Sequence, residues 1–224
     1  SEPYTSARAL ALFEKYVDAD DSTAIGPVGL ENLCADANIP MEGAMPLILA
    51  WQLGAKEMGR FTKDEWVEGT SNLKISSLSS LLSALSDLNN LLIFSKSPVK
   101  SNPKIDPYDR TTYLSYAKDT KSAFHKLYLF CFNLAKPEQS RNIDMETSAA
   151  LWSVILSPKY PIMQEVLEYI GEKDGVYKAT NKDLWTMMLE FCETVDPNLQ
   201  GYESEEAWPT LLDEFVAWKK ARSP

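Results

Sequence analysis

VDADDSTAIGPVGL, residues 17–30, places Asp18, Asp20 and Ser22 at alternate positions, the spacing at which a calcium loop presents its first three oxygen ligands. Ile25 takes the apolar eighth position of that loop. The remaining positions do not suit an ion. Thr23 stands at position six, where a glycine makes the sharp turn, and Gly29 at position twelve, where a bidentate glutamate closes the shell. A second stretch, GAKEMGRFTKDE from Gly54, fails in the complementary way. It keeps Gly59, Phe61 and Glu65 at positions six, eight and twelve, but offers Gly54, Lys56 and Met58 at the ligand positions. Lys56 would put a cation where the ion sits. Both stretches are therefore expected to be structural loops without metal. Their apolar residues, Ile25 and Phe61, are expected to join the loops through a short backbone bridge.

Other chemistry is sparse. Cys34, Cys131 and Cys192 are odd in number, far apart and set among apolar neighbours, which predicts buried reduced thiols rather than disulfides or zinc ligands. The single His125 lies in SAFHKLYLFCF with no cysteine or carboxylate at ligand spacing, and reads as a core or boundary residue. No nucleophile and base constellation supports an independent hydrolase or transferase. The strongest cluster is acidic. From Asp183 to Glu214 there are nine carboxylates (Asp183, Glu190, Glu193, Asp196, Glu203, Glu205, Glu206, Asp213 and Glu214) and no Lys or Arg. Interleaved with an amphipathic pattern, such a run is expected on an ordered surface suited to steering a basic protein partner. Local readings stand beside that one. Thr180 and Asp183 have the spacing of a helix-capping pair, Pro209 suits a first helical turn, and Asp213 falls off the apolar stripe of Trp208, Leu211, Leu212, Phe215 and Trp218.

These residues need helices to position them. Apolar residues recur at three and four along SARALALFEKYV, AMPLILAWQLG and KDLWTMMLEFCETV, and no convincing alternating strand is seen, so the fold class is all-α. The stretch FSKSPVKSNPKIDPYDR, 94–110, interrupts the period and is read as a surface linker. It separates an N-terminal lobe, 1–93, from a C-terminal lobe, 111–224. Before the linker, SSLSSLLSALSDLNNLL carries a leucine stripe at 78, 81, 82, 85, 88 and 92. With 224 residues, 45% of them hydrophobic, the chain can bury a real core. A net charge of −10 disfavours nucleic acid, and the absence of a long apolar run disfavours a membrane span. The chain is expected to be soluble and intracellular.

NKDLWTMMLEF, followed by YESEEAWPTLLDEFVAW, resembles the C-terminal signature of the defective-in-cullin-neddylation family, whose unit is the potentiating-neddylation (PONY) domain. IGPVGLENLCADANI, LILAWQLGAKEMGRFTKDEW and FNLAKPEQSRNIDMETSAALW resemble that domain in the same order. The resemblance implies two EF-hand-like helical lobes without calcium, and a monomeric scaffold-type co-ligase that is not itself an enzyme and uses no cofactor. It implies two partners: a cullin, through its C-terminal winged-helix region, and the neddylation conjugating enzyme, through its acetylated N-terminal methionine. The ring-type ligase subunit is a further candidate partner. The family's acidic cullin-binding patch maps onto Asp183, Ala207 and Asp213. Its acetyl-methionine pocket maps onto Leu30, Pro46, Leu47, Leu49, Ala50, Leu53, Phe61, Leu134, Leu151 and Val154. An apolar pocket would discriminate by desolvation, because a free amino terminus brings an unpaired charge and the acetylated one a neutral amide. The implied compartment is the nucleus, the cytoplasm or both. The alternative function is an EF-hand-type calcium sensor, or an adaptor for a basic partner.

Overall fold

The computed structural model describes residues 3–222. Their regular structure is eleven helices and four short strands, an all-α architecture. The chain forms two compact units that divide between Leu134 and Ala135. The first runs through α1 (Ser6–Tyr16), β1 (Ala24–Ile25), α2 (Pro27–Ala37), α3 (Met45–Leu53), β2 (Phe61–Thr62), α4 (Lys63–Leu73), α5 (Leu78–Leu92), α6 (Thr111–Lys118) and α7 (Thr120–Ala135). Caps written in the sequence start several of these. Thr5 accepts from the Arg8 amide, and Thr62 with Glu65 and Ser77 with Ser80 close reciprocal capping boxes on α4 and α5. Trp66, fully buried, donates its indole N–H to the Ala9 carbonyl at 2.8 Å and so ties α4 to α1.

The two loops expected to pair do so. β1 and β2 are antiparallel, with Ile25 opposite Phe61. What has become of the ligand positions explains the missing closing glutamate. The Asp18 carboxylate turns onto the start of α2, where Oδ1 accepts from the Gly26 amide at 3.1 Å and the Gly29 amide at 2.6 Å. A Cβ at Gly29 would lie 1.9 Å from the Tyr16 carbonyl oxygen and 2.7 Å from Asp18 Oδ1, so the twelfth position has no room for a side chain. A cation is already present nearby. Arg60, from the second loop, reaches Asp21 at 3.1 Å, and the Thr23 hydroxyl and amide together with this guanidinium hold the Asp21 carboxyl below its usual range. In the second loop Gly59 makes the turn at φ +70°, while Glu65 spends both oxygens on the Lys56 and Thr62 amides. Carboxylates that would close around calcium are thus consumed as acceptors for backbone N–H groups.

The 94–110 stretch does not end the first unit. Asp87 on α5 accepts from the Tyr108 hydroxyl at 2.8 Å and pairs with Arg110 at 3.0 Å, and Arg110 also reaches Asp106 at 2.5 Å. Tyr113 on α6 is buried, and Tyr116 stacks on Trp51 of α3 with ring centroids 4.9 Å apart. These contacts draw α6 and then α7 onto the first unit, and the division falls at Leu134/Ala135 instead of within 94–110. Periodicity reveals where a helix stops, whereas a unit boundary depends on which distant side chains the next helix meets.

The second unit contains β3 (Asn142–Asp144), α8 (Met145–Ile155), α9 (Ile162–Glu172), β4 (Ala179–Asn181), α10 (Lys182–Thr194) and α11 (Thr210–Arg222). Here too an antiparallel ribbon joins two loops, with Ile143 opposite Thr180. This second pair is not evident from ligand spacing. A common signal runs through all four strands: Ile25, Phe61, Ile143 and Thr180, each buried, immediately precede the helix N-caps Gly26, Thr62, Asp144 and Asn181. Behind the ribbon, Trp152 of α8 stacks on Trp185 of α10 at 5.6 Å.

Candidate functional site

The acidic face of the second unit is assembled on an aromatic core. Phe191 of α10 meets Trp208 and Phe215 edge-on at 5.4 and 6.0 Å, and Tyr169 of α9 packs on Phe215 and Trp218 of α11 at 6.0 and 5.4 Å. Aromatic pairs in these geometries contribute about 0.5–1.5 kcal/mol each beyond their buried area. They hold three helices in register, so that α10 and α11 present their first turns to solvent. The segment between those helices is also ordered. Asp196 accepts from the Asn198 and Gln200 amides at 2.8 and 3.0 Å, and Gly201 takes φ +88°, with a Cβ there only 2.0 Å from the Thr194 carbonyl oxygen.

Asp183 and Asp213 each occupy the first turn of a helix, α10 and α11 respectively. The positive end of a helix dipole favours a carboxylate there. Asp183 is exposed; Asp213 is half-buried and accepts a 2.7 Å hydrogen bond from the Tyr202 hydroxyl. Ala207 is exposed, next to the buried Trp208. A cleft of about 300 Å³ lies between the two helix starts, lined on one side by Asn181, Asp183 and Leu184 and on the other by Pro209, Thr210 and Leu211. Asp213 follows Thr210 by three residues and shares its side of α11. A carboxylate on the cleft, Asp183, and a second in the first turn of α11, Asp213, are acceptors suited to Lys or Arg through charge-assisted hydrogen bonds.

Two details differ from the sequence reading. The N-cap of α10 is Asn181, whose Oδ1 accepts from the Leu184 amide at 2.8 Å; Thr180, expected as the cap, is fully buried in β4. Sequence spacing cannot separate two adjacent capping types when the ribbon pulls one of them inward. The second detail is Tyr202, to which sequence assigns no role. Besides Asp213 it meets Lys220, whose ammonium lies 5.4 Å from the ring centroid. Burial, with Asp213 adding to it, pushes the Tyr202 phenol up to about 12, so it stays a proton donor and orients the carboxylate. Glu214 is exposed and accepts from Tyr177 and Tyr169, while Glu203, Glu205 and Glu206 are exposed on the segment before α11.

The ten apolar positions are distributed over both units. Leu30 is on α2; Pro46, Leu47, Leu49, Ala50 and Leu53 are on α3; Phe61 is in β2 and Leu134 on α7. Leu151 and Val154 lie on α8 of the second unit. Leu30, Leu49, Ala50, Leu53, Phe61, Leu134 and Leu151 are buried, whereas Pro46, Leu47 and Val154 keep part of their surface open. A groove of about 550 Å³ in the first unit, lined by Trp51, Gln52, Thr62 and Glu68 among others, takes in only Leu53 of the set. Phe61 has a structural task already, opposite Ile25.

The three thiols are buried and unpaired by disulfides, and burial raises Cys34 to about 11 and both Cys131 and Cys192 to about 12. They are protonated at neutral pH and poor nucleophiles. His125 is half-buried on α7. Among the described residues no group of three or more His, Cys, Asp or Glu is placed to hold a metal, and no helix is long and apolar enough to cross a membrane.

Comparison with known proteins places this face in context. A family model described as cullin binding matches residues 107–218, which takes in all three patch positions. The chain is similar to human DCN1-like protein 5, 31% identical over 221 residues that span 99% of this chain and 81% of the relative. It is equally similar to zebrafish (Danio rerio) DCN1-like protein 4, 31% identical over 99% of this chain and 69% of the relative. The Drosophila melanogaster DCN1-like protein 4 is 29% identical over 96% of this chain and 75% of its own length.

Proposed function

Because the chain belongs to the cullin-binding family of DCN1-like proteins, we propose that it acts in cullin neddylation as a non-catalytic scaffold. It holds a cullin on the acidic face of the second unit, and holds the neddylation conjugating enzyme by an acetylated N-terminus. The observation that carries the first half is the pair of first-turn carboxylates on α10 and α11, Asp183, exposed, and Asp213, half-buried, with the exposed Ala207 on the segment between the two helices. Both acids stand on helical backbone that is ordered before any partner arrives, so little main-chain ordering is needed on binding. A nine-carboxylate run without Lys or Arg extends the same field over the whole face and speeds encounter with a basic surface.

Rate enhancement needs no reacting side chain from this protein. Holding donor and acceptor together replaces a bimolecular encounter by an intramolecular one and restricts orientation, each of which raises rate. The activity appears in an assay containing the charged conjugating enzyme, a cullin and catalytic amounts of this chain. Transfer to the cullin accelerates when the chain is added and does not occur when the conjugating enzyme is omitted. Transfer unchanged by the chain defeats the proposal.

The second half rests on the resemblance of the apolar positions, among which Pro46 and Leu47 on α3 retain open surface for a peptide. An acetylated N-terminal peptide of the conjugating enzyme is expected to bind at least about tenfold more tightly than its unacetylated twin, since burying an unpaired ammonium costs several kcal/mol. Isothermal titration of the two peptides measures this. Equal affinities remove the apolar pocket from the proposal while leaving the acidic face in place.

Tyr202→Phe tests the orientation of Asp213. Losing one hydrogen bond to a charged group corresponds to about 1.5–3 kcal/mol at most, and a carboxylate free to re-solvate loses less. Cullin affinity is expected to fall several-fold, with the melting temperature moved by only a few degrees. Unchanged affinity would show that the phenol does not position the carboxylate for binding.

A further inference from the structure

The stretch from Phe94 to Ile105 contrasts with the acidic chain around it. It carries Lys96, Lys100 and Lys104 and no acidic residue. Residues 94–100 are all exposed and have no regular secondary structure. The stretch is nonetheless held at defined points. The Lys96 amide donates to the Asn90 carbonyl at 2.9 Å, and the Val99 amide donates to the Tyr113 hydroxyl at 2.9 Å. Further on, Ser101 and the Asn102 amide both reach the Asp106 carboxylate, which is itself paired with Arg110. Ser97 and Pro98 therefore stand out between two anchored residues.

Proline after a residue disfavours the helical region and leaves the preceding residue extended. It also removes one backbone donor, so a kinase cleft that offers no acceptor at that amide takes proline and rejects other residues. A lysine three positions beyond the acceptor serine adds a charge contact, the kind of pattern by which kinases select substrates. Ser97-Pro98-Val99-Lys100 has all of these features. The chain has two other Ser-Pro pairs, at 157–158 and 223–224, the latter outside the described residues. At Ser157 the hydroxyl oxygen is buried, and the residue three beyond is Tyr160. Two dipeptides alike in sequence differ in whether the nucleophilic oxygen can be reached.

We propose that Ser97 is a phosphorylation site for a proline-directed kinase, at which modification offsets the basic charge of the 94–105 strap. The γ-phosphoryl group of ATP passes to Ser97 Oγ. The Oγ–P bond forms, the bond from phosphorus to the bridging oxygen breaks, ADP departs with that oxygen, and the hydroxyl proton goes to the kinase's base. The phosphate brings about −2 charge and lands between Lys96 and Lys100, lowering the strap from three positive charges to about one.

The test incubates the folded full chain with a purified proline-directed kinase of the cyclin-dependent class and ATP, and maps phosphate by peptide mass spectrometry. Phosphate is expected on the peptide containing Ser97 and absent from that containing Ser157. Ser97→Ala abolishes the strap signal, Pro98→Ala slows it by about tenfold or more, and Lys100→Ala slows it several-fold. No phosphate at Ser97, equal rates for Pro98→Ala and the parent chain, or modification of Ser157 at a comparable rate would each overturn the proposal. Because residues 97, 98 and 100 are exposed, none of the three substitutions removes a core contact.

Discussion

Asp213→Lys is expected to abolish detectable cullin binding and, with it, the stimulation of neddylation, while the protein remains folded. The carboxylate sits in the first turn of α11, held by Tyr202, in a run of sequence that has no Lys or Arg from Asp183 to Glu214. Lysine there confronts a basic partner with like charge and leaves the partner's own cation without its acceptor. Such reversals cost about 2–5 kcal/mol in binding, roughly 30-fold or more in affinity. The cost to folding is smaller. It comprises the helix-dipole contribution and one hydrogen bond at a half-buried position, together about 1–2 kcal/mol. A pull-down or titration against the cullin's C-terminal region, paired with a thermal melt, separates the two. Asp213→Asn refines the result, since it keeps an acceptor for Tyr202 and removes only the charge; it is expected to fall between parent and lysine variant. Stimulation of transfer by Asp213→Lys equal to that of the parent chain would sink the patch assignment, whatever the melt shows.

The second large effect is on the fold. Gly29→Glu restores the twelfth ligand of a calcium loop, and is expected to destabilise the first unit without conferring calcium binding. The Cβ alone falls 1.9 Å from the Tyr16 carbonyl oxygen, a backbone atom that cannot swing aside, and the added carboxylate would approach Asp18, whose oxygen lies 2.7 Å from the same Cβ. Overpacking against main chain, together with displacement of the Asp18 hydrogen bonds to the Gly26 and Gly29 amides, predicts a loss of about 3 kcal/mol or more. For a protein of this size that lowers the melting temperature by roughly 6–12 °C. Addition of calcium should not reverse it. A melt that rises with calcium, as ligand linkage requires of a functional site, would show that the loop retains its old ligand geometry and that Asp18 can leave the helix start.

Much of the fold is legible along the chain because its causes are local. Helix period, the Thr62–Glu65 capping box, Gly59 at a tight turn and the pairing of Ile25 with Phe61 depend on residues close in sequence or on a loop register that the sequence repeats. The second ribbon escapes that reading because its loops have no ligand-like spacing to announce them, although Ile143 and Thr180 sit one residue before a cap just as Ile25 and Phe61 do. The division of the chain escapes it too. A proline-rich, lysine-rich stretch has the composition of a linker, yet its end is pinned by Asp87 and Arg110 in a cluster whose members are 23 residues apart.

For the candidate site, sequence alone established which residue types are available: a carboxylate run without cations, three thiols in apolar settings, and a loop with Asp18, Asp20 and Ser22 at alternate positions but no acidic residue at the twelfth. Composition and period are properties of the chain itself. How each of those carboxylates is engaged within the fold was decided only by the tertiary structure, since the donors that reach a carboxylate are set by its surroundings in space. Glu214 is engaged by Tyr177 and Tyr169, Asp196 by amides of its own turn, Asp18 by the start of α2, and Asp21 by Thr23 and Arg60. Asp183, exposed at the start of α10, lines the cleft between the two helix starts, and Asp213, half-buried in the first turn of α11, is oriented by the Tyr202 hydroxyl.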